Sequence, residues 1–287
     1  MNSLDFVVIG AMKSGTTTLY EDLRQHPDVH LLDKESGLLS GTREGRSPAP
    51  RTLDRIERAL SEAPASSLCG EVATTYAMLP QFPGVIEAAS LLPRHPRVIY
   101  ILREPVARII SHHHHDVSDG RLSVGVDEAV RTDNRLIDYT RYAEQIEPWI
   151  DLVGRDNVLL LKFEDYMSDR ERGFSSVLSF LGLTPMTRPL SLVAHNQSDG
   201  KPVAVGHWRS IVRSGAYRRL VRPLVPESAR RRISKSVLPA APPRPAPPQQ
   251  ATIDLIRSEL ATDQERLASL TGGPWWPLDP VVKRVNE

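Results

Sequence analysis

A short segment near residue 13 combines the residue types that bind phosphate. An apolar run, Phe6 to Ile9, is followed by Gly10, Lys13 and Gly15, and hydroxyl side chains lie among and after them at Ser14, Thr16, Thr17 and Thr18. A helical pattern begins at once, so the order is strand, loop, helix. Main-chain N–H groups of such a loop and the positive end of the helix attract an anion, and the lysine adds a full charge. The segment therefore predicts a phosphate-binding loop.

The position of the lysine separates this loop from the Walker A motif, Gly-x-x-x-x-Gly-Lys-Ser/Thr. Gly10 and Gly15 have the glycine spacing of that motif, but Lys13 lies between them instead of after the second one. Kinases and NTPases with the motif also need a carboxylate for Mg²⁺, whereas the second apolar run, Val98 to Leu102, ends in Arg103. We therefore expect phosphate binding without a metal, and a P-loop small-molecule kinase is the alternative hypothesis.

A second group of anion-binding residues follows that apolar run, with the pattern Arg103, Pro105, Arg108, Ser111. Arg103 would lie at the carboxyl end of a strand, where open α/β sheets bind ligands. Arg108 and Ser111 are three residues apart and would share one helical face, and a guanidinium with a hydroxyl suits a phosphate dianion. An arginine at a helix start could instead pair with Glu104. Two anion sites at neighbouring strand ends predict a nucleotide with phosphates at both ends of its ribose.

These two segments resemble the PAPS-dependent sulfotransferase family, whose sulfuryl donor is 3′-phosphoadenosine 5′-phosphosulfate (PAPS). Residues 13–17 resemble the family's 5′-phosphosulfate-binding loop, with Thr18 as the next hydroxyl. Residues 103–111 resemble its 3′-phosphate-binding segment, in which Arg103 and Ser111 match the usual contacts. The resemblance covers most of residues 6–276 and includes supporting segments at 25–29, 70–72, 157–165, 180–183 and 195–196.

The resemblance implies an activity, a fold and a set of roles. The activity is sulfuryl transfer from PAPS to a hydroxyl, or less readily an amine, of a carbohydrate, glycolipid or secondary metabolite, with 3′-phosphoadenosine 5′-phosphate (PAP) as product. Lys13 is expected at the leaving oxygen, helped by loop N–H groups and hydroxyls, because in-line transfer requires a neutralised leaving group. A sulfuryl group carries less charge than a phosphoryl group, so we predict no metal. A nucleotide-binding regulator without catalytic activity is a further alternative.

The family resemblance also suggests the base that removes the acceptor's proton. Lys34-Glu35 stands where many carbohydrate and bacterial sulfotransferases have a Lys-Glu or Asn-Glu pair, so the resemblance implies Glu35 as the base. A dry pocket that raises its pKa would suit this role. His30 and Glu71 are the rival candidates, and a solvated surface ion pair is the structural alternative. Lys201 lies where the family has a basic loop that touches the 3′-phosphate.

The elements that position these residues alternate between strands and helices. Apolar strands are predicted at 5–9, 98–102 and 158–163, with helices at 17–25 and 142–153 between them. Such alternation predicts an α/β fold, a three-layer parallel sheet flanked by helices, and here a P-loop-like nucleotide fold. We predict one domain over residues 1–287. It would comprise a nucleotide-binding core at 1–190 and a C-terminal helical part at 191–287, with a proline-rich linker at 239–248.

The composition indicates the cellular compartment in which we expect the protein. The 287 residues carry a formal net charge of +1 and a single cysteine, Cys69, which fits a reducing compartment, and no apolar stretch is long enough to span a bilayer. We therefore expect a cytoplasmic protein, and the Ala/Arg/Pro-rich composition suggests a bacterial one. Residues 209–235 hold nine Lys or Arg and one acid. They predict a solvated face, or contact with an anionic acceptor or membrane surface, and not nucleic-acid binding.

The four consecutive histidines, His112 to His115, are the last feature to interpret. Residues 112 and 115 share a helical face, but zinc needs three or four ligands in a defined geometry. We therefore predict structural or substrate-lining roles for this run and no metal site. The oligomeric state is not predicted.

Overall fold

The fold is built on one parallel sheet of five strands. The structure is a computed structural model that describes residues 3–40, 51–191 and 246–276. The strands are β1 (Phe6–Gly10), β2 (Val29–Leu31), β3 (Leu68–Val72), β4 (Arg97–Leu102) and β5 (Val158–Lys162). Their order is β2-β3-β1-β4-β5, and each neighbouring pair is parallel. The predicted α/β class with a parallel sheet is confirmed.

Helices connect the strands and cover both faces of the sheet. They are α1 (Thr16–Leu23), α2 (Arg51–Leu60), α3 (Val85–Ser90), α4 (Pro105–Ser118), α5 (Val126–Thr132), α6 (Arg135–Asp138), α7 (Tyr142–Val153), α8 (Phe163–Ser168), α9 (Arg170–Leu181) and α10 (Gln250–Thr271). Short 3₁₀ turns occupy Thr74–Ala77 and Arg155–Asn157. The chain leaves β1 and returns on both sides of it, so β1 lies at the point where the connections diverge.

The two covered faces explain why the central strand is apolar along its length. Val7 belongs to the same buried cluster as Trp149 of α7, on one face of the sheet. Val8 belongs to a second cluster, which contains Leu19 of α1, on the other face. Because successive strand residues point to opposite faces, a strand covered on both sides must be apolar at every position. This is why the continuous apolar runs in the sequence indicate sheet strands.

Two strands escape sequence prediction because they are short and lack an apolar run. β2 has three partly buried residues, and β3 contains Gly70 and Glu71. A Cβ at Gly70 would lie 2.1 Å from the Phe6 ring of β1, so only glycine fits beside that ring. The third predicted strand also ends one residue early, because Phe163 begins α8 instead of ending β5.

The last described helix packs back onto the body of the protein. The carboxylate of Asp263, on α10, accepts hydrogen bonds from the N–H groups of Ala143 (3.2 Å) and Glu144 (3.0 Å) in the first turn of α7. Burial raises the pKa of this carboxyl group to about 6. Farther along, Trp276 packs against Tyr142 with ring centroids 6.0 Å apart. The C-terminal helix and the residues after it therefore pack against α7, the helix that covers β4.

Several predictions concern residues that the structure does not describe. These are Lys201, the basic residues 209–235 and most of the proline-rich linker at 239–248. The division at residue 190 therefore stays a prediction. Among the described helices, none combines the length and apolar character needed to cross a bilayer.

Candidate active site

The loop between β1 and α1 has the backbone geometry of an anion cradle. Lys13 and Gly15 both have positive φ, at 70° and 87°. Inside α1, the first main-chain hydrogen bond runs from Leu19 N to Gly15 O (3.1 Å), so the N–H groups of residues 16–18 have no partner within the helix. A lysine in the left-handed region is uncommon, and such residues cluster at ligand sites. The predicted phosphate loop thus has suitable donors and a suitable shape.

The hydroxyl side chains of this loop differ in exposure. Ser14, Thr16 and Thr18 are buried, whereas Thr17 is partly exposed. The Ser14 hydroxyl is fully buried and has no hydrogen-bond partner. A buried polar atom without a partner is costly to the fold. An anion bound in the cradle is one way to satisfy it.

Gly15 is required by packing as well as by its backbone angle. A Cβ at this position would lie 2.9 Å from two carbons of the Phe163 ring, which stands at the carboxyl end of β5. The loop therefore rests directly against that ring. Phe163 was not recognised from the sequence as a site residue, since nothing in its type or spacing indicates that role.

Arg103 connects the second predicted segment to the first. Its main-chain carbonyl accepts a hydrogen bond from the Tyr142 hydroxyl (2.7 Å). Its guanidinium donates to the Lys13 carbonyl (3.1 Å) and stacks over Phe163, 4.9 Å from the ring centroid. Glu104 caps α4, because its carboxylate accepts from Val106 N (3.1 Å) and Ala107 N (2.6 Å). The tertiary structure thus brings the two predicted anion-binding segments into contact.

Arg108 and Ser111, the other two polar residues of the second segment, differ in burial. Arg108 is fully buried and donates to Leu136 O (2.8 Å) and His112 Nδ1 (3.2 Å). Burial also lowers its pKa. Only Nη2 of the guanidinium makes these contacts, and Nε and Nη1 are buried without a hydrogen-bond partner, so the expectation that Arg108 and Ser111 form one phosphate-binding face stays a prediction. Ser111 is partly exposed on α4 and stays accessible.

The histidine run divides into interior and surface-facing members. His112 stacks on Tyr139, and burial lowers its pKa to about 2, so it is neutral. His113 is also buried and contacts Val124 O through Nε2 (2.8 Å). His115 is partly exposed, and its pKa is lowered by burial and by the nearby charge of Lys13. Among the residues that the structure describes, no group of three or more potential ligands could hold a metal ion.

Glu35 lies at the carboxyl edge of the sheet with its side chain 38% exposed and paired with Lys34, so the structure shows the surface ion pair and not the expected dry pocket. It has a positive φ of 59°. Its N–H donates to Val72 O (2.9 Å), and its carboxylate accepts from Thr74 N (2.9 Å) and Lys34 Nζ (2.7 Å). Val72 pairs with Val8 of β1. Glu35 therefore lies at the same edge as the loop that begins after β1.

The rival bases have less suitable positions. Glu71 is fully buried, and its carboxylate accepts from Gly37 N (2.9 Å), the Tyr76 hydroxyl (2.5 Å) and the Ser36 hydroxyl. These contacts hold the turn after Glu35, so this carboxylate has a structural role. His30 lies in the middle of β2, which β3 separates from β1.

Comparisons with known proteins identify the family to which the chain is similar. The family model described as "Sulfotransferase domain" matches residues 3–199. The chain is 26% identical over 243 residues to mouse heparan sulfate glucosamine 3-O-sulfotransferase 3A1, covering 76% of this chain and 58% of the relative. It is 29% identical over 192 residues to human heparan sulfate glucosamine 3-O-sulfotransferase 3B1, covering 62% and 45% respectively. The chain thus spans about half the length of these curated relatives.

A solved structure supports the fold independently. A sulfotransferase from Alicyclobacillus acidocaldarius superposes with a TM-score of 0.65 at 18% identity, over 95% of this chain and 97% of the other. At this identity the likeness concerns the fold, and it extends over nearly the whole of both chains.

Proposed function

The chain belongs to the sulfotransferase domain family, and from this membership we propose that it transfers a sulfuryl group from PAPS to a hydroxyl of an acceptor, leaving PAP. The matched relatives carry names that specify 3-O-sulfotransfer to heparan sulfate glucosamine. For this chain we propose a small-molecule or glycan acceptor: a carbohydrate, a glycolipid or a secondary metabolite.

One observation carries the proposal: the Arg103 guanidinium donates to the Lys13 carbonyl across 3.1 Å. This contact places an arginine from the end of β4 beside the cradle at the end of β1. Parallel α/β sheets bind ligands at this edge, where the connections diverge. A nucleotide with a phosphate group at each end of its ribose fits two adjacent anion sites of this kind.

The donor set also suits the nucleotide. The cradle offers main-chain N–H groups, the Lys13 ammonium, the unpartnered Ser14 hydroxyl and the hydroxyls of Thr16, Thr17 and Thr18. All of these groups can donate hydrogen bonds to an anion. We propose that this loop holds the 5′-phosphosulfate, that Arg103 and Ser111 hold the 3′-phosphate, and that Lys201 adds a further contact to the 3′-phosphate.

In the proposed reaction, the acceptor oxygen forms a bond to sulfur as the bond between sulfur and the bridging oxygen breaks. The electron pair of the broken bond stays on PAP, where the Lys13 ammonium and the loop N–H groups stabilise the added charge. Glu35 accepts the proton that the acceptor hydroxyl loses. Its bonds to Thr74 N and Lys34 Nζ fix the carboxylate in place before the acceptor binds.

Calorimetric titration with PAP in EDTA, alongside ATP, tests the nucleotide site. We expect tight PAP binding without metal, and loss of most of it in Lys13→Ala and in Arg103→Ala. Arg94→Ala is the matched control, because Arg94 is exposed and precedes β4 at the opposite edge of the sheet. If the wild-type protein fails to bind PAP, the proposed function is wrong.

The two alternative functions are distinguished by repeating the titration with Mg²⁺ in place of EDTA and by an activity screen. A small-molecule kinase would bind ATP with Mg²⁺ and bind PAP weakly. A regulator without activity would bind PAP but transfer no sulfuryl group from PAPS to any acceptor in a broad screen. The placement of Lys13 within the loop favours the sulfotransferase over the kinase.

The setting of the enzyme is also a proposal, and it rests on the sequence alone. We propose a cytoplasmic bacterial protein organised as a nucleotide-binding core at 1–190 and a C-terminal part at 191–287. Residues 209–235 are proposed as a solvated basic face or, alternatively, as a segment that contacts an anionic acceptor or membrane surface. Fractionation of the native host tests the location, and sedimentation with anionic vesicles tests the surface contact. Recovery in a secreted fraction would contradict the first, and no dependence on vesicle charge would contradict the second.

A further inference from the structure

The ring of Phe163 lies between the two proposed phosphate-binding segments and touches both. On one side, the ring approaches Gly15 so closely that a Cβ there would lie 2.9 Å from it. On another side, the Arg103 guanidinium stacks on it, 4.9 Å from the centroid. The ring therefore contributes to the spacing of the two segments, together with the hydrogen bond from Arg103 to the Lys13 carbonyl.

We propose that Phe163 is a positioning residue that fixes the spacing and orientation of the 5′-phosphosulfate loop relative to Arg103. This proposal rests on the proposed function, since it assumes a nucleotide with two phosphate-bearing ends. Phe163 itself has no polar atom to offer either phosphate. Its contribution lies in holding Gly15 and Arg103 where one rigid ligand reaches both.

The contacts around Arg103 explain why a ring is needed. The Tyr142 hydroxyl fixes the main chain of Arg103, and the Lys13 carbonyl accepts from one end of its guanidinium. These two bonds fix the main chain and one end of the guanidinium. A flat aromatic surface restricts the plane of a guanidinium through stacking and cation–π attraction. Arg103 is thereby held in one plane before the ligand binds.

Phe163 is itself held by the strand before it and the residue after it. It follows Lys162, the last residue of β5, which pairs with Leu102 of β4 directly before Arg103. The next residue, Glu164, accepts a hydrogen bond from Glu104 N (2.9 Å) through Oε1. The ring therefore has a firm backbone on both sides, and its position relative to the end of β4 is set by sheet pairing.

This role predicts a specific defect: loss of cooperation between the two phosphate sites. A ligand that engages two sites gains affinity only when their spacing matches it, whereas a ligand that engages one site does not depend on the spacing. Removal of the ring should therefore weaken PAP more than adenosine 5′-phosphate or adenosine 3′-phosphate. A residue that merely stabilised the fold would not change this ratio.

The test is calorimetric titration of the full chain with PAP, adenosine 5′-phosphate and adenosine 3′-phosphate. For Phe163→Leu we expect a roughly ten-fold loss of PAP affinity and less than about a three-fold loss for either monophosphate, in line with one lost cation–π contact. Phe163→Tyr keeps the ring and should keep the wild-type ratio. Phe180→Leu is the matched control, because Phe180 packs on the same hydrophobic cluster from α9.

Each outcome decides the proposal. Equal losses for PAP and one monophosphate in Phe163→Leu would overturn it, because the ring would then serve a single site. An unchanged PAP affinity would also overturn it. If Phe163→Leu does not fold, the titrations are repeated with Phe163→Met, whose side chain fills the space but has no flat face. If wild-type protein binds PAP no more tightly than the monophosphates, the proposed function itself fails, which is a distinguishable result.

Discussion

Arg103 and Lys13, ninety residues apart in the chain, are joined by a hydrogen bond of 3.1 Å from the guanidinium to the main-chain carbonyl. The bond uses the backbone of Lys13, so it leaves the ammonium group outside this contact. It also means that the shape of the cradle depends on a residue from another strand. Substitution of Arg103 should therefore affect both anion sites, whereas substitution of Lys13 should remove only its charge.

The charge of Lys13 is expected to act mainly on the leaving group. Lys13→Ala should lower the rate of sulfuryl release from PAPS on the order of 10²–10³-fold, the usual effect of removing one group that stabilises developing negative charge. The measurement is PAP formation from PAPS under single-turnover conditions, with the best acceptor found. Arg94→Ala removes one charge at the opposite edge of the sheet and should have no effect. A rate within three-fold of wild type in Lys13→Ala, about 0.7 kcal/mol, would contradict the assigned role.

Glu35 is expected to affect catalysis and not nucleotide binding. Glu35→Gln keeps the size of the side chain and one oxygen for the Thr74 contacts, but it cannot accept the acceptor's proton. We expect kcat to fall on the order of 10²–10⁴-fold, with the Kd for PAP unchanged.

His30→Gln provides the comparison for the base. His30 lies on β2, away from the cradle, so this variant should retain activity. The assignment would be reversed if His30→Gln lost activity while Glu35→Gln kept it.

Gly15 should tolerate no side chain. Gly15→Ala adds a Cβ in the left-handed region and places it against Phe163 at 2.9 Å. The backbone strain alone costs about 1–2 kcal/mol, and the displacement of the ring adds to it. We expect lower thermal stability and a PAP affinity too weak to measure by calorimetry.

A second glycine separates strain from steric clash. Gly272, which ends α10, has nearly the same angles (φ 75°, ψ 15°, against 87° and 12° at Gly15), and its Cβ would meet nothing within 4 Å. Gly272→Ala should therefore lose thermal stability only through backbone strain, and it should bind PAP normally. Equal effects of the two substitutions would mean that the contact with Phe163 is unimportant.

Glu71 is expected to stabilise the turn that follows Glu35. Glu71→Gln leaves an amide nitrogen where one oxygen had accepted from the Tyr76 hydroxyl, so a buried hydrogen bond is lost. We expect a loss of about 1–3 kcal/mol in the free energy of unfolding, the usual cost of a buried polar group without its partner. Urea unfolding measures it. Glu62→Gln on the exposed surface is the control, and equal values for the two variants would contradict the role.

Asp263 should give the protein a measurable pH dependence of stability. Its pKa is about 6 in the folded protein, against an ordinary value of 3.8, because it is buried beside the start of α7. The folded state therefore binds the proton more tightly than the unfolded state. Stability from this group is greatest below pH 4, falls as the pH rises towards 6, and is constant above that. The difference corresponds to about 3 kcal/mol at 1.36 kcal/mol per pKa unit.

The Asp263→Asn variant isolates this contribution. Its unfolding free energy is measured between pH 4 and pH 7 and subtracted from that of the wild type, and this difference should fall as the pH rises towards 6. The neutral amide keeps one acceptor for the N–H groups of α7, so the variant should still fold. A difference curve that is flat across this range would show that Asp263 does not titrate as described.

Several features of this protein could be predicted from the sequence because they depend on local order. The apolar runs of β1, β4 and β5 indicate a parallel sheet, since strands covered on both faces must be apolar throughout. The glycines, lysine and hydroxyls after β1 indicate an anion loop, because loop N–H groups and a helix start bind anions wherever they occur. These signals need no knowledge of which strand lies beside which.

Other features could not be predicted because they depend on contacts between distant segments. β2 and β3 are short and mixed in polarity; β3 is a strand because β1 offers it a partner, and β2 because β3 does. Arg108 and Arg103 have the same side chain and lie five residues apart, yet one is buried in the interior and the other reaches the cradle. The direction of the helix relative to its neighbours decides this.

The sequence by itself thus determined the class of fold, the two anion-binding segments and the resemblance to the family. Only the tertiary structure decided that Phe163 contacts both Gly15 and Arg103, that Glu71 holds a turn, and that Glu35 lies at the same edge of the sheet as the cradle. The physical reason is that local chemistry is encoded in the types and spacing of neighbouring residues. The distance between two such segments is set by strand order and side-chain packing, to which residues from the whole chain contribute.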